Sequence, residues 1–482
     1  MKNILSTSLI TFGAITLATG TAAAQVTITP LPAGFDAFEL SPIGGVVSGQ
    51  DNGGVARYVG GVVTNLPGNG WDLSFAGHMN FDGSMIAGRV ENPLSTEFEP
   101  SFWQLGVGNT SLGYPLGGYG GTCLTSTASS ISWDGTVIGG NVALSCNVYP
   151  FRWTTTNGFQ ILDTTSPIVP AAQPSAKVHA TSGDGLVSAG WIQSTNRSGA
   201  VWDQAGVLSF PFITPANTDG LGEIHALNVD GTTVAGESSF DGPVVVRDGV
   251  IHSVAVEAGL AGSGEGMLSL SADGSVGVGA GGGQPGPFGS PDTGLIWTAW
   301  SGGQDINAFF AAYGVTLPTG NPIVRGIGVS LDAHTFLVSE ASFGPFPGGY
   351  GDAFMITLPN SWANLGGNSP TGQNGIPQLT GQGYLTDGAP ARVTLAQAAS
   401  NSIALVAVSG TDNSTPLWGG VLHTLFYTDL FYVPTDATGN AVLDANWPSG
   451  LAGATLYVQA ASIDATVPDG FTLTNALSAT GY

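Results

Sequence analysis

The sequence contains very few basic residues. Its 482 residues include 9 Lys and Arg against 33 Asp and Glu, which gives a formal net charge of −24 at pH 7. A surface of this sign repels phosphate backbones and anionic membranes. Nucleic acid is therefore excluded as an expected partner. The acidity indicates no other partner by itself, because it often serves only to keep an exported protein in solution.

Long apolar runs are missing after the first 25 residues. The opening stretch, MKNILSTSLITFGAITLATGTAAAQ, combines Lys2, an apolar run from Ile4 to Leu17 and small residues at 22–24. This arrangement is typical of a secretory signal peptide, and a membrane anchor is the alternative. We expect residues 1–24 to be removed and the rest to be secreted or held at the cell surface or in the periplasm. No membrane span is expected after cleavage.

Cysteine occurs twice, as Cys123 and Cys146. Export favours a disulfide between them over two free thiols. If the hairpin around Asp134 keeps its register, the two residues stand opposite each other. The bridge would then add about 3 kcal/mol of stability. The sequence has no Cys–His metal spacing and no GxSxG, HExxH or phosphate-binding glycine loop, so we expect no catalytic residues, no metal and no cofactor.

Glycine, by contrast, is abundant, with 75 residues, and many of them belong to a repeat. The stretch ISWDGTVIGG at 131–140 returns four more times with an Asp-Gly pair and a Gly six residues after the Asp. Two weaker copies flank these five, and a Ser or Asn precedes each anchor by two residues. The anchors of the seven copies are Ile43, Asp82, Asp134, Asp184, Asp230, Asp273 and Asp332. Such a period predicts a stacked or circular array of similar units.

Each copy predicts four strands. Asp-Gly between two apolar runs favours a type I′ hairpin, and a third and a fourth apolar run follow. Four strands repeated seven times indicate an all-β fold with a seven-bladed β-propeller. The last copy lacks a fourth strand, and VTITPL at 26–31 is expected to supply it and close the ring. The strand before each anchor is then the innermost strand of its blade.

Two recurring residue types have alternative interpretations. The anchor Asp residues favour turn formation through their own hydrogen bonds, and calcium binding is the alternative. A large aromatic residue ends the third strand in four copies and is expected to pack between blades, with sugar stacking as the alternative. These residues are Trp103, Trp153, Trp202 and Trp297.

The repeat resembles that of the bacterial extracellular HAF-repeat proteins, which carry SxDGxxVxG and AFRW units. The resemblance covers residues 25–358 and includes the stretch from Asp305 to Asp332, which is similar to the short helix before the last repeat of that family. It implies a β-propeller and no assigned chemistry.

The composition changes at Pro359. Residues 359–374 are rich in Gly, Asn and Pro and are expected to be a linker. Alternating apolar stretches over 375–482 predict a C-terminal β-sandwich. Its stretches GIPQLTGQGYL and GFTLTNALSAT resemble a C-terminal module of exported planctomycete and myxobacterial proteins, which implies a surface or sorting appendage.

The predicted innermost strands carry a polar set. Residues seven positions before the anchor include charged side chains, and two histidines lie five positions before it. Residues two apart share a face of a strand, whereas the residues six positions before the anchor are small or apolar. We therefore expect a ligand-binding ring at the channel mouth. A self-paired, solvated rim is the alternative, and the histidine pair has no evident third metal ligand. The ring comprises Asp36, Lys177, His179, Glu223, His225 and Arg325.

These features favour an exported, non-enzymatic protein, expected to be a monomer, whose propeller serves recognition or is a structural scaffold. A polysaccharide or a cell-surface component is the expected partner. The alternative is a carbohydrate-active enzyme, a glycoside hydrolase or lyase, with Asp36 and Glu223 as its pair of carboxylates. Fold alone does not decide between them, because propellers serve many functions.

Overall fold

The computed structural model describes residues 26–481 apart from 52–53, 67–70, 73–77, 92–97, 116–125, 145–146, 166–174, 194–195, 261–265, 282–292, 342–349, 370 and 387. The described chain is almost entirely β-structure and separates into two compact units, Val26–Leu358 and Pro359–Tyr482. Each unit has its own sheets and its own apolar core. Among the helices of the described residues, none is long and apolar enough to cross a membrane.

The unit Val26–Leu358 has a β-propeller-like architecture built from four-stranded antiparallel sheets. Its described residues form seven such sheets, one for each copy of the repeat. The bounds of their strands are β1 (Thr27–Pro30), β2 (Phe35–Leu40), β3 (Val46–Asp51), β4 (Gly54–Val59), β5 (Val62–Asn65), β6 (Trp71–Asp72), β7 (Met85–Glu91), β8 (Phe98–Gln104), β9 (Gly108–Ser111), β10 (Thr127–Ile131), β11 (Val137–Leu144), β12 (Asn147–Thr154), β13 (Gly158–Ile161), β14 (Ala176–Thr181), β15 (Ser188–Gln193), β16 (Arg197–Trp202), β17 (Leu208–Ser209), β18 (Gly222–Leu227), β19 (Val234–Ser238), β20 (Gly242–Arg247), β21 (Val250–Ser253), β22 (Gly266–Leu270), β23 (Val276–Gly281), β24 (Thr293–Thr298), β25 (Gly302–Asp305), β26 (Ile323–Val329), β27 (Thr335–Ala341) and β28 (Tyr350–Thr357). The seven sheets comprise β2–β5, β6–β9, β10–β13, β14–β17, β18–β21, β22–β25, and β26–β28 with β1.

Two short helices, α1 (Val254–Glu257) and α2 (Ile306–Ala311), interrupt this pattern. The second confirms the short helix expected after Asp305. Asp305 is its N-cap, since its carboxylate accepts a hydrogen bond of 2.7 Å from the Asn307 amide.

The N-terminal strand completes the last sheet of this unit. β1 pairs antiparallel with β28, with Thr27 opposite Thr357 and Pro30 opposite Phe354. The sheet order β1-β28-β27-β26 gives the seventh copy its fourth strand, which confirms the prediction for VTITPL. The buried Leu31 follows β1, and this pairing covers the edge that β28 would otherwise expose.

The recurring Ser/Asn and Asp side chains stabilise the hairpin turn. The Ser132 hydroxyl donates to the Asp134 carboxylate at 2.6 Å and accepts the Val137 amide at 3.0 Å. The Asp134 carboxylate also accepts the Thr136 amide at 2.9 Å. Equivalent bonds from an amide to the anchor Asp occur at Asp82, Asp184, Asp230, Asp273 and Asp332. These contacts confirm the interpretation of the repeated Asp as a turn-forming residue.

The predicted type I′ geometry of this turn was wrong. Its hydrogen bond runs from the Gly135 amide to the Ser132 carbonyl oxygen, so Trp133 and Asp134 are the central residues. Gly135 has a φ of 75°, whereas none of the anchor Asp residues is among the residues of positive φ. The Asp-Gly pair therefore occupies the third and fourth positions of the turn. The dipeptide alone did not reveal this shift.

Hydrogen bonds between the turns link the seven sheets in a closed series. Each bond joins an amide of one turn to a carbonyl oxygen of the next turn, and the seventh returns to the first repeat. We call this set the turn ring. From donor to acceptor, over 2.8–3.3 Å, it runs Ile43 to Phe81, Phe81 to Trp133, Trp133 to Gly183, Asp184 to Val229, Val229 to Ala272, Ala272 to Leu331, and Leu331 to Pro42.

A β-bulge in the innermost strand explains the glycine six residues after the anchor. In the fourth sheet, His179 is the extra residue between Val178 and Ala180. A Cβ on Gly190 would collide with the carbonyl oxygen of Lys177, so the close approach of the two strands at this bulge favours glycine. Within the described residues, six of the seven sheets have a bulge five residues before the anchor, at Phe38, Ser129, His179, His225, Leu268 and Ile327.

The large aromatic residues of the third strands pack between neighbouring sheets. Trp202 is fully buried against Leu162 of the preceding repeat, and Trp297 is buried with Val245 of the repeat before it. Trp103 packs in the same way, and Trp153 is half-buried beside Phe102. The prediction that these residues form an apolar core between sheets is confirmed.

The arginine of the AFRW-type third strand reaches the turn of the next repeat. Arg57 donates to the Gly83 carbonyl oxygen at 2.9 Å, and Arg152 donates to the Leu186 carbonyl oxygen at 3.3 Å. Each guanidinium is therefore a polar link between consecutive sheets.

The unit Pro359–Tyr482 contains two main sheets with a shared core. One has the order β29-β39-β37-β32-β35 with β38 beside β37, and the other has the order β30-β31-β36. Leu379 and Leu395 of the second sheet pack with Val406 and Val458 of the first. The strands are β29 (Trp362–Gly366), β30 (Gln378–Gln382), β31 (Pro390–Ala396), β32 (Ile403–Ser409), β33 (Thr415–Leu417), β34 (Gly420–Leu422), β35 (Asp429–Pro434), β36 (Ala441–Asn446), β37 (Thr455–Ile463), β38 (Phe471–Leu473) and β39 (Ala476–Thr480).

The segment 359–374 does not act as a simple linker. Its residues Trp362–Gly366 form β29, with Trp362 opposite Ala479. The Trp362 side chain also packs against the core of this unit, which offsets the turn-forming composition around it. Cys123 and Cys146 lie outside the described residues, as does the predicted signal peptide, so the disulfide stays a prediction that mass spectrometry of non-reduced protein tests.

Candidate functional site

The innermost strands of the unit Val26–Leu358 surround a central cavity of about 900 Å³. Most lining residues belong to β2, β10, β14, β18, β22 and β26 or to the turns, and a few belong to β3, β15 and β16. Toward the turn ring the lining is mainly apolar, with Pro42, Trp133 and Leu331 among its members. Further from the turns the lining carries charged side chains, such as Arg325, which lies six residues before Leu331 and so about 20 Å away along an extended strand. A cavity of this size suits a small polar ligand or part of a larger one.

The structure brings five of the six predicted ring residues to this cavity. Lys177 and His179 lie on β14, Glu223 and His225 on β18, and Arg325 on β26. Asp36 differs, because it is exposed on β2 and is not part of the cavity lining. The small residues of the intervening position, such as Val178 and Ile224, are buried in the sheet packing as expected. Ala76 of the same set lies outside the described residues.

Three potential metal ligands lie together in the cavity, namely His179, Glu223 and His225. The two imidazole rings are stacked with centroids 5.4 Å apart and an angle of 11° between their planes. The His179 Nδ1 lies 4.0 Å from a carboxylate oxygen of Glu223. One potential ligand atom from each of the three side chains lies within 4.8 Å of the others. The bulges at His179 and His225 place these rings at the same level of adjacent strands.

Arg197 of β16 extends the grouping toward solvent. Its guanidinium forms an ion pair with the Glu223 carboxylate, and it lies over the Trp191 ring with 4.5 Å to the ring centroid. The Arg197 side chain is 51% exposed, whereas Glu223 is 12% exposed. The carboxylate is therefore held inside the cavity by a cation that reaches in from the rim.

Burial lowers the pKa of two basic side chains of the cavity, Lys177 and His179. Burial lowers the pKa of Lys177, and the nearby Glu223 carboxylate opposes that effect. The pKa of His179 lies well below its ordinary value, because the ring is buried and Lys177 stands close to it. At neutral pH His179 is therefore the uncharged imidazole.

A second pair, Glu39 and His78, lines the same cavity and was missed from the sequence. The His78 Nδ1 lies 3.2 Å from a Glu39 carboxylate oxygen, and the other oxygen accepts the Met79 amide at 3.0 Å. Burial lowers the pKa of His78, but the Glu39 carboxylate outweighs it, so the net shift is upward. Both residues lie four positions before their anchors. In the first sheet a bulge at Phe38 directly precedes Glu39, and it brings this position to the cavity, which strict alternation did not predict.

The cavity has the opposite charge balance to the rest of the chain. Its lining contains three cations, Lys177, Arg197 and Arg325, against two carboxylates, Glu39 and Glu223. The whole chain has 9 basic and 33 acidic residues. A third of the basic residues therefore lines one cavity, a concentration that favours an anionic or strongly polar ligand.

A Ser, His and Asp grouping in the unit Pro359–Tyr482 lacks the geometry of a nucleophilic site. The His423 Nδ1 lies 2.9 Å from the Asp412 carboxylate and 3.2 Å from the Ser414 hydroxyl. Both partners therefore share one ring nitrogen. Activation of a serine requires it to face the other ring nitrogen, with the carboxylate behind the ring. The arrangement is that of a hydrogen-bonded loop.

No family model matches the chain, and no curated protein matches it. Among solved structures, TolB from Acinetobacter baumannii is similar with a TM-score of 0.32 and 13% identity, over 55% of this chain and 60% of that chain. The putative TolB from Agrobacterium tumefaciens has a TM-score of 0.32 and 12% identity, over 59% of this chain and 92% of that chain. An acylaminoacyl peptidase in complex with Z-Gly-Gly-Phe-chloromethyl ketone has a TM-score of 0.30 and 8% identity, over 68% and 59%. Similarity this distant establishes neither a family nor a function.

Proposed function

We propose that the chain is an exported, non-enzymatic recognition protein that binds an anionic saccharide in its central cavity. In this proposal, Val26–Leu358 is a seven-bladed β-propeller and the segment from Pro359 is a β-sandwich module. The observation that carries the proposal is the concentration of Lys177, Arg197 and Arg325 in one cavity of a chain with net charge −24.

The turn ring supports seven blades. A series of hydrogen bonds passes once through seven successive turns and returns from Leu331 to Pro42, which supports an arrangement of the repeats around one axis. The pairing of β1 with β28 provides a second connection between the two ends of the series. The core shared by the two main sheets of the C-terminal unit supports the sandwich.

The cavity chemistry supports an anionic saccharide. Guanidinium and ammonium groups form charge-assisted hydrogen bonds with carboxylates such as those of uronic acids. Trp133 and Trp191 supply aromatic surface within the same lining. Export of the chain rests on residues 1–24, whose composition is typical of a signal peptide.

A glycosidase is less well supported by the same cavity. Glu39 and Glu223 both line it, so this pair replaces the predicted pair of Asp36 and Glu223. Each of the two carboxylates has a cationic or hydrogen-bond-donating partner, His78 for Glu39 and Arg197 for Glu223. Both carboxylates are thus engaged by side chains of this chain, whereas hydrolysis needs two carboxyl groups that face the glycosidic bond.

A glycan array followed by calorimetric titration tests the proposal. We expect acidic oligosaccharides to bind and neutral ones of the same length to bind weakly or not at all. Lys177→Gln and Arg325→Gln should each weaken binding about tenfold or more, because a hydrogen bond to a charged group contributes about 1.5–3 kcal/mol.

The control variant Arg392→Gln removes a cation of the other unit, which pairs with Asp444, and should leave the affinity unchanged. Equal binding of neutral and acidic sugars by parent and variants would refute the proposal. Release of reducing sugar from any bound glycan, lost in Glu223→Gln, would establish the enzymatic alternative.

A further inference from the structure

Three donor side chains converge in the cavity in a way that the proposed recognition function does not require. His179 and His225 contribute imidazole nitrogens and Glu223 a carboxylate oxygen, all within 4.8 Å of one another. The two histidines occupy the bulge positions of neighbouring innermost strands, and Glu223 lies two residues before His225. The convergence therefore follows from the repeat itself, which places equivalent residues of consecutive strands side by side.

We propose that His179, Glu223 and His225 form a binding site for one divalent transition-metal ion, of which Zn²⁺ is the best match. Two imidazoles and one carboxylate are a donor set that zinc accepts, with three protein ligands and one further position open to solvent or substrate. Other metal ions fit this donor set less well, because Cu(I) favours sulfur ligands and Ca²⁺ or Mg²⁺ favours oxygen ligands. The open position would face the central cavity.

Metal binding requires modest rearrangement. Zn–N distances of about 2.0–2.1 Å place tetrahedral ligand atoms roughly 3.3 Å apart, so donors now within 4.8 Å must approach by about 1.5 Å at most. The parallel rings of His179 and His225 must also rotate so that their lone pairs meet. Side-chain torsions alone supply movements of this size.

For a metal ion to bind, the Arg197 guanidinium must leave the Glu223 carboxylate. It pairs with Glu223 in the described structure, but its side chain is 51% exposed and also contacts Trp191. The guanidinium can therefore leave the carboxylate and remain on the Trp191 ring. Arg197 and the ion compete for one carboxylate, so removal of the guanidinium should tighten metal binding.

The neighbouring Lys177 ammonium opposes a dication, and an anionic fourth ligand relieves that repulsion. If the proposed function is right, a carboxylate oxygen of the saccharide takes the open position, and metal and saccharide strengthen each other's binding. The metal site itself does not depend on the saccharide, because its three ligands all belong to this chain.

Titration of the full-length, untagged, exported protein with Co²⁺ tests the site after EDTA treatment and removal of the chelator. We expect one equivalent of Co²⁺ to give visible absorption bands of a four-coordinate complex, and Zn²⁺ to displace it. His179→Ala, His225→Ala and Glu223→Gln should each weaken binding about 100-fold or more, since even outer-sphere partners of metal ligands contribute about 10- to 100-fold. Arg197→Gln should bind more tightly than the parent.

The matched control is His252→Ala with Glu257→Gln, a histidine–glutamate pair with 3.0 Å between its atoms that lies outside the cavity lining. It should bind Co²⁺ like the parent, and circular dichroism should show all variants folded. Absence of Co²⁺ uptake by the parent, or uptake that the three ligand variants retain, would overturn the proposal. These measurements use no glycan, so their failure would leave the saccharide proposal standing, and failure of the glycan array would leave the metal site standing.

Discussion

The amide of Leu331 donates a hydrogen bond of 2.8 Å to the carbonyl oxygen of Pro42. These residues belong to the last and the first copies of the repeat, separated by nearly the whole unit in sequence. The bond closes the turn ring, and the pairing of Thr27 with Thr357 joins the same two ends at the edge of the seventh sheet. One connection lies in the turn between β26 and β27 and the other on β28, so loss of one leaves the other to hold the ends together.

Deletion of residues 26–31 should destabilise the unit without unfolding it outright. The deletion removes β1 and the buried Leu31, and loss of a buried leucine side chain alone costs about 2–5 kcal/mol. We expect the melting temperature in scanning calorimetry to fall by about 5 °C or more.

A variant in which another alternating Thr/Val sequence replaces residues 26–30, with Leu31 kept, serves as the control. It should recover most of the stability, since the main-chain hydrogen bonds to β28 do not depend on side-chain identity. Unchanged melting of the deleted protein would mean that β1 does not close the last sheet.

The sequence predicted the sheets well because most structural requirements recur from one repeat to the next. A Ser or Asn that accepts the amide five residues later, and a Gly that avoids a carbonyl oxygen, are visible as a pattern even without knowledge of their contacts. Seven copies also made the missing fourth strand of the last repeat noticeable. The spare strand at the N-terminus was then the natural candidate.

The cavity was harder to predict because its lining depends on a bulge. Strict alternation placed His179 and Lys177 correctly but left Glu39 and His78 unassigned, since these lie one residue further along. A β-bulge leaves no sequence signal as plain as a turn, and the recurrent Gly that accommodates it lies on the neighbouring strand, away from the bulge itself. Arg197 escaped notice because it lies on a third strand, outside the set of innermost strands.

Ser132→Ala should cost about 1–3 kcal/mol, because the variant leaves the buried Val137 amide without its side-chain acceptor. The Asp134 carboxylate also loses the hydroxyl that donates to it. Chemical denaturation monitored by circular dichroism measures the change. Ser209→Ala, at an exposed position, is the control and should stay within about 0.5 kcal/mol of the parent. Equal stability of the two variants would show that the hydroxyl of Ser132 is dispensable.

The turn carboxylates should make the protein sensitive to acid. Hydrogen bonds from Ser84 lower the pKa of Asp82, and hydrogen bonds from Thr232 lower the pKa of Asp230 below the ordinary value of 3.8. As pH falls through 3.8, the unfolded chain takes up protons before the folded protein does, so the free energy of unfolding decreases. The stabilisation is therefore present above this value and is lost as pH falls through the lower folded values.

Calorimetric melting between about pH 6 and pH 3, a range that spans the ordinary pKa of aspartate, measures this dependence. The double variant Asp82→Asn/Asp230→Asn should show a shallower decline relative to its own stability at pH 6. The pair Asp219→Asn/Asp248→Asn, at two exposed carboxylates, is the matched control and should decline as steeply as the parent. A decline in the first variant as steep as in the control would assign the acid sensitivity to other groups.

The Gly190→Ala variant tests whether the recurrent glycine of the repeat also positions the side chains of the cavity. A Cβ at this position would meet the carbonyl oxygen of Lys177, which is backbone and cannot swing aside. Relief requires β14 to move away from β15, which displaces Lys177 and His179 together. We expect a loss of stability of about 1–3 kcal/mol from overpacking. We also expect weaker saccharide binding at temperatures where the variant is still folded.

Gly45→Ala is the control, because a Cβ there meets no atom within 4 Å. It should leave both stability and saccharide affinity unchanged. The comparison separates two roles of the recurrent glycine. If Gly190→Ala loses stability but binds saccharide like the parent, the glycine serves the fold alone. If both fall together, the bulge that the glycine permits is also what aims the charged side chains of β14 into the cavity.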